Sequence, residues 1–353
     1  MTFVDSAAFD SVSPEEVYTG SKHFTLDYSK PPGQGWTYKA FTMDRFDYPD
    51  DPSLHLTRNV RGSPMLRRIN GKLYLYTLDM YAHYLTIYRF EPSSEGGIAI
   101  PSGLLAQNPV PTGWPAGQPT YGEWMWRDLN GNGRVDADEI TSNPSTGSTV
   151  GNGFYWVDTP GNVWQATPGS VIREMPLQGF DAVGNPIYQY AGSLIFAMPQ
   201  PFTRITRIVY IAETDTMYIS GFTAGIPWDN SHWKEPSPVL ARYDNWSSGS
   251  PSMQYAISLP WNTQSSPQVT TVGVAVAGNY IFVAELYTLK VDVCDVRTGQ
   301  PVGYMTPGAD VGKTSGWVDT DPGISAVKRA NGGYVVALED DARAKILLYR
   351  WTP

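Results

Sequence analysis

A three-run unit that recurs along the chain limits what this sequence can fold into more than any other feature. Five segments share it: a strand-like run, a turn centred on Gly or Asx, a second run rich in Tyr, Val and Ile, then a gap and a third run ending in a polar turn. Residues 65–76 lead to 85–90, 153–165 to 171–175, 205–219 to 239–244, 272–283 to 291–295, and 324–336 to 346–351. Measured between the turns at Gly71, Gly161, Thr216, Gly278 and Gly333, the spacings are 90, 55, 62 and 55 residues. One such unit cannot bury its own apolar faces, so its neighbours must cover them. Short antiparallel runs at this spacing, with no helical period of useful length, predict radial repetition of four-stranded sheets.

The expected fold is therefore all-β: a single β-propeller domain over residues 1–353, with six blades preferred to five or seven. The 90-residue gap is too long for one unit and predicts an insertion over about 108–151. The last repeat supplies only three runs. Its fourth strand is expected from the N-terminal stretch 17–28, where Phe24-Thr-Leu-Asp-Tyr28 precedes Pro31, because an unclosed ring exposes edge strands. Residues 36–60 would add one irregular sheet or cover.

Two hairpins carry a family resemblance. Asp295-Val-Arg-Thr-Gly-Gln-Pro-Val-Gly-Tyr304 is similar to the D-x-x-T-G-x-x-V-G hairpin of NHL and YVTN propellers, and Asp158-Thr-Pro-Gly-Asn-Val-Trp164 to their D-x-x-G-N-x-W hairpin. The likeness covers roughly residues 60–353 and implies architecture. Such hairpins occur in propellers of many functions, so it implies no chemistry.

Residues 128–139 carry the sharpest local signal. Asp128-Leu-Asn-Gly-Asn-Gly-Arg-Val-Asp-Ala-Asp-Glu139 matches the D-x-[DN]-x-[DN]-G-x5-E pattern at every required position. Calcium takes hard oxygens. The spacing offers Asp128, Asn130 and Asn132 by side chain, Arg134 by its carbonyl, Asp136 through water, and Glu139 by both oxygens. Gly133 falls where the backbone must turn sharply, and Val135 where these loops turn a side chain inward. The flanks, Gly122-Glu-Trp-Met-Trp-Arg127 and Thr141-Ser-Asn-Pro144, are too β-like for the helix pair of a calcium sensor. The expectation is a structural Ca2+ pinning the insertion to the propeller. A weak site of this kind stays filled at millimolar extracellular calcium.

Catalytic signals are sparse. Four histidines, His23, His55, His83 and His232, show no metal-ligand spacing, and no nucleophile elbow, phosphate loop or dinucleotide fingerprint appears. His83, in Asp79-Met-Tyr-Ala-His-Tyr84, could act with a Tyr on a uronic-acid sugar, or be an ordinary loop histidine. A carboxylate is expected just after the second strand of four repeats, Asp79, Asp158, Glu285 and Glu339, so these groups would approach one rim of the channel or simply shape polar turns. Trp114, Trp124, Trp126, Trp228, Trp233, Trp246 and Trp261 stand in turn-rich contexts. They suit sugar stacking or packing between blades, and Trp228, His232, Trp233 and His83 are the candidate ligand residues.

The chain carries 34 acidic and 25 basic residues, a net charge of −9, and no basic stripe of the kind nucleic acid requires. No apolar run is long enough to span a bilayer, and residues 1–12 lack the basic start and apolar run of a leader. Cys294 is the only cysteine. The sequence reads best as a non-catalytic bacterial propeller, secreted or at the cell surface, that binds glycan or an extracellular protein. The alternative is a polysaccharide-active propeller enzyme, a lyase or hydrolase.

Overall fold

The computed structural model describes residues 5–31, 33–56, 62–143, 154–166, 171–229, 231, 236–311, 316–319, 322–341 and 345–353. Six antiparallel sheets follow one another along the chain. The first holds β1 (Ala8–Phe9), β2 (Glu16–Tyr18), β3 (Lys22–Leu26) and β4 (Trp36–Phe41). The second holds β5 (Ser63–Ile69), β6 (Lys72–Leu78), β7 (Tyr84–Phe90) and β8 (Ala99–Ala106), extended by β9 (Glu123–Arg127) and β10 (Ile140–Asn143). The third holds β11 (Phe154–Val157), β12 (Val163–Ala166), β13 (Val171–Met175) and β14 (Leu194–Ala197). The fourth holds β15 (Phe202–Ile211), β16 (Thr216–Thr223), β17 (Val239–Asp244) and β18 (Ser252–Ser258). The fifth holds β19 (Thr271–Ala277), β20 (Tyr280–Glu285), β21 (Val291–Asp295) and β22 (Pro301–Met305), and the sixth β23 (Ile324–Lys328), β24 (Tyr334–Asp340) and β25 (Lys345–Trp351). This is a six-bladed β-propeller. Among the described residues the only α-helix is α1 (Pro52–His55), a single turn.

Local chemistry sets the hairpins. Ile69 pairs with Lys72 across a two-residue loop in which Asn70 and Gly71 both take positive φ, 51° and 78°. That loop matches the strand twist, and Asn-Gly adopts it at little cost. In the hairpin that resembles the NHL and YVTN motif, Asp295 accepts bonds from the Thr298 amide and hydroxyl, joining the third strand β21 to the fourth strand β22.

Alternate side chains of each strand pack on opposite neighbours. Met65 and Ile69 of β5 join the cluster shared with the third blade, while Leu66 packs towards Ala8 and Tyr18 of the first. Trp164, Tyr76, Phe282 and Val336 are among the side chains buried between blades, each aliphatic one contributing about 1.5–3 kcal/mol by leaving water. First strands meet around the axis: β11 with β15, β15 with β19, β19 with β23, and β1 with both β23 and β5. Arg67 of β5 bridges to the third blade, its Nε donating to the Val157 carbonyl at 2.6 Å, and burial pushes its pKa down to about 10.

Ring closure differs from the expected strand exchange. Residues 17–28 do not pair with the last strand near Leu347; they supply β2 and β3, whose ladder partners are β1 and β4. Contact with the sixth blade is made face to face, with Val17 and Leu26 on Val335 and Ala337. Ser325 Oγ also donates to the Ala7 carbonyl. Among the described residues, 36–56 form no separate sheet: β4 completes the first blade, and residues 57–60 lie outside the described residues.

Candidate ligand cleft and oxygen-rich loop

The region from Asn108 onward adds β9 and β10 to the free edge of β8, and the loop 128–139 is the turn between them. Asp128 Oδ1 accepts the Gly133 amide at 3.1 Å, Asn130 Oδ1 the Asn132 amide at 2.9 Å, and Asn132 Oδ1 the Arg134 amide at 2.7 Å. Each short side chain thus folds the backbone two to five residues ahead of it. Gly133 has φ +68°, and a Cβ there would run into the Tyr48 ring. Asp136 and Glu139 form a reciprocal capping box on the short 3-10 turn that follows. Val135 packs with Ile140 against Trp124 and Trp126.

The loop's oxygens suit calcium chemically, but in this arrangement most of them accept bonds from the protein itself. Asn130 and Asn132 both donate their side-chain NH2 groups to Asp136 Oδ2, at 2.9 and 3.1 Å, while their Oδ1 atoms, the expected ligands, accept the Asn132 and Arg134 amides. Glu139 is otherwise engaged: Oε1 takes the Leu129 and Asn130 amides, and Oε2 takes the Trp126 indole at 2.7 Å. Asp128, fully buried, pairs through Oδ2 with Arg89 Nη1 at 2.9 Å. Among the described residues, no three His, Cys, Asp or Glu side chains stand together as a metal site.

Arg89 is the residue that sequence reading missed. From β7 it reaches Asp128, Asn185 Oδ1 at 2.8 Å and Ser102 Oγ at 3.1 Å, and Asn185 returns a bond to the Asp128 carbonyl. It therefore fastens the loop to its own blade and to the 176–193 connection of the third blade. The one signal was a lone charge in the run Tyr-Leu-Thr-Ile-Tyr-Arg-Phe, which is otherwise built to be buried on both faces.

Between the extended second blade and that connection lies a cleft of about 430 Å³. Met125, Trp126, Arg127, Thr141 and Ser142 form one wall, Tyr188, Gln189 and Tyr190 the other, and Leu129, Asp138 and Glu139 bring the loop to its edge. Beneath it, Arg173 pairs with both oxygens of Glu123 at 2.8 Å and lies 5.7 Å from the Tyr190 ring. Burial works to lower the Arg173 pKa, and Glu123 more than offsets it. Rings beside amide, hydroxyl and guanidinium donors suit a ligand with flat apolar faces and a hydroxylated rim.

The other candidates are dispersed. Asp79, Glu285 and Glu339 do end second strands, but Asp158 follows the first strand β11 and so belongs to the opposite rim. All four are spent locally: Asp79 on the His83 and Tyr84 amides, Asp158 on Gly161, Asn162 and Trp164, Glu285 on Thr288 and Lys290, and Glu339 on Asp319. His83 is half-buried with Nδ1 3.2 Å from Asp79 Oδ2 and lies outside the cleft. Trp228 stacks under Arg204 at 4.0 Å, whereas His232 and Trp233 fall outside the described residues. Trp124, Trp126 and Trp246 are buried, which makes them packing residues first. Trp114 stacks on His55, and Trp261 meets Phe222 edge-on.

No known family profile matches the chain, and no curated protein matches it by sequence. Among solved structures, it is similar to the β-propeller domain of Myceliophteria thermophila Cps50 (Swd1), at 9% identity and TM-score 0.51 over 100% of this chain and 98% of that one. It also matches Kluyvelomyces marxianus Hsv2 at 8% identity and TM-score 0.43, over 99% and 97% of the two chains. A putative 6-phosphogluconolactonase from Bacteroides fragilis matches at 10% identity and TM-score 0.39, over 84% and 83%. Likeness at this level shows the propeller fold alone.

Proposed function

We propose that this chain is a non-catalytic bacterial propeller, secreted or at the cell surface, that binds glycan, or an extracellular protein, in the cleft between its second and third blades. The loop 128–139 would hold calcium structurally at the cleft edge. One observation carries the reading: the aromatic and hydrogen-bonding wall of the cleft is continuous with the loop through Leu129, Asp138 and Glu139. Asn130 and Asn132 lie beside Asp136; with their Oδ1 atoms turned inward, they and Asp136 would form the oxygen shell together with the Arg134 carbonyl, Asp128 and Glu139. A bound cation would offset carboxylate repulsion there and fix the wall. The second reading, a polysaccharide-active enzyme, rests on the Asp79–His83 pair beside Tyr81 and Tyr84.

A glycan array probed with and without calcium tests the proposal, using the wild type, Arg127→Ala and Tyr190→Ala. Binding that needs calcium and is lost in both variants is the expected result. Binding indifferent to chelator and to both substitutions would reject the cleft. Turnover of a bound polysaccharide, abolished by His83→Ala, would favour the enzyme.

A further inference from the structure

The fourth and fifth blades are tied together at two places. Their first strands, β15 and β19, meet around the axis. At the turn 295–299 the Val296 carbonyl accepts the Tyr255 hydroxyl at 2.8 Å and Arg242 Nη1 at 2.9 Å. A Cβ on Gly299 would run into the Tyr255 ring, so the turn lies flush on the fourth blade. Beside these ties the two blades leave a second cleft, of about 440 Å³, separate from the one assigned above. Ile257 and Leu259 from the fourth blade and Val283 and Pro301 from the fifth give it apolar walls. Asp292 and Cys294 stand two apart on β21 and so on one face, bringing to the cleft a carboxylate and the thiol of the chain's only cysteine. Burial, then Asp292, pushes the Cys294 pKa up to about 11, so the thiol stays protonated and serves as wall.

Asp292 is unevenly served. Its Oδ1 accepts from Lys290 Nζ, whereas Oδ2 is buried without a hydrogen-bond partner. Burial pushes this carboxyl above the usual carboxylate range, and Lys290 pulls it back. Lys290 also donates to Glu285 Oε1, at 3.1 Å, so two carboxylates draw on one cation. Across the interface Arg242 is committed to both oxygens of Asp244. A carboxylate oxygen kept from water and left unpaired costs free energy. A cleft of this volume, apolar with one convergent charge, is the form that small-ligand sites take. We propose that it binds a small organic cation, a primary ammonium on a short alkyl body. The ammonium would sit on Asp292 Oδ2, with the alkyl chain along Ile257, Leu259 and Val283. Rotation about the last bond of an Asp is soft, which lets Oδ2 turn to the ligand while Lys290 keeps Oδ1. The ligand then supplies both the donor that Oδ2 lacks and the positive charge that the Glu285–Lys290–Asp292 group lacks, a charge-assisted bond. A neutral alcohol brings the donor without the charge, and an anion meets two carboxylates.

Methyl NMR on the full chain, titrated with n-butylammonium at about pH 7, where an alkylamine is charged, tests the proposal. Saturable shifts concentrated on the methyls of Ile257, Leu259 and Val283 are expected. 1-Butanol should bind about tenfold more weakly, and butyrate should give no shift. Asp292→Asn keeps the shape of the side chain. It should weaken n-butylammonium about tenfold and leave 1-butanol unchanged, a split that a repacked or unfolded variant would not give. Ser258→Trp, at an exposed position on the cleft lining, should block both ligands. No shift at those three side chains, equal affinity for the ammonium and the alcohol, or ammonium binding untouched by Asp292→Asn would overturn the proposal. Shifts gathered instead at the cleft between the second and third blades would overturn it as well.

Discussion

Replacing Arg89 with Met removes a buried cation from the junction of two blades and the acidic loop. Arg89 is 7% exposed and Asp128 fully buried. The substitution deletes bonds to Asp128, Asn185 and Ser102 of 2.9, 2.8 and 3.1 Å and strands the Asp128 carboxylate out of water. Breaking a buried pair from one side costs about 3–5 kcal/mol. Unfolding entropy grows with chain length, so about 4 kcal/mol should lower Tm by roughly 5 °C here. Urea denaturation gives the stability, and hydrogen exchange should show loosening confined to 122–143 and 181–190. Adding Asp128→Asn removes the stranded charge and should restore part of the loss. A single variant within about 0.5 kcal/mol of wild type, or exchange spread evenly over the blades, would refute the assignment of Arg89 as the fastener.

Glu174 gives a pH test: burial, then Asp158 and Asp215, push its pKa up from 4.5 to about 7. A carboxyl whose folded pKa is raised favours the protonated fold, so stability should fall as pH rises from about 4.5 to 7. After allowance for solvent screening the span is about 2 kcal/mol, and Glu174→Gln should flatten the slope; an unchanged slope would be contrary. Tyr188→Phe leaves the Gly161 carbonyl, now bonded at 2.6 Å, and the Tyr76 hydroxyl, at 3.0 Å, without their partner. The expected cost is about 1–3 kcal/mol by chemical denaturation, and a neutral result would show that another group takes its place. Gly273→Ala drives a Cβ into the Pro322 carbonyl of the sixth blade. It should cost roughly 1–3 kcal/mol in a thermal scan, and an equally stable protein would mean that the fifth and sixth blades separate easily.

The repeat was readable because each hairpin declares itself locally: Asn70-Gly71 and the Asp295 turn fix loops from neighbouring residues alone. Closure was not, because Phe24-Thr-Leu-Asp-Tyr28 identifies a strand but not its partner, and pairing is set by side chains a whole chain length away, Val17 and Leu26 meeting Val335 and Ala337. The acidic loop was visible as spacing, while Arg89, which fastens it, sits 39 residues before Asp128. The rim carboxylates misled for a physical reason. An Asp or Glu at a strand end is commonly consumed by the turn it caps, as Asp79 and Asp158 are. Tyr188, Gln189 and Tyr190 lie in a connection with no repeat register, so no pattern brought them to the cleft.

Hydrogen exchange on the chelator-stripped chain, repeated across a calcium titration, tests most directly whether the loop 128–139 is the cation-dependent wall of the cleft. The account predicts saturable protection of residues 122–143 with the other blades unchanged, and stabilisation of about 2.7 kcal/mol once calcium exceeds its Kd 100-fold, both lost in Asp136→Ala. Identical exchange and identical Tm with calcium and with excess chelator would contradict it.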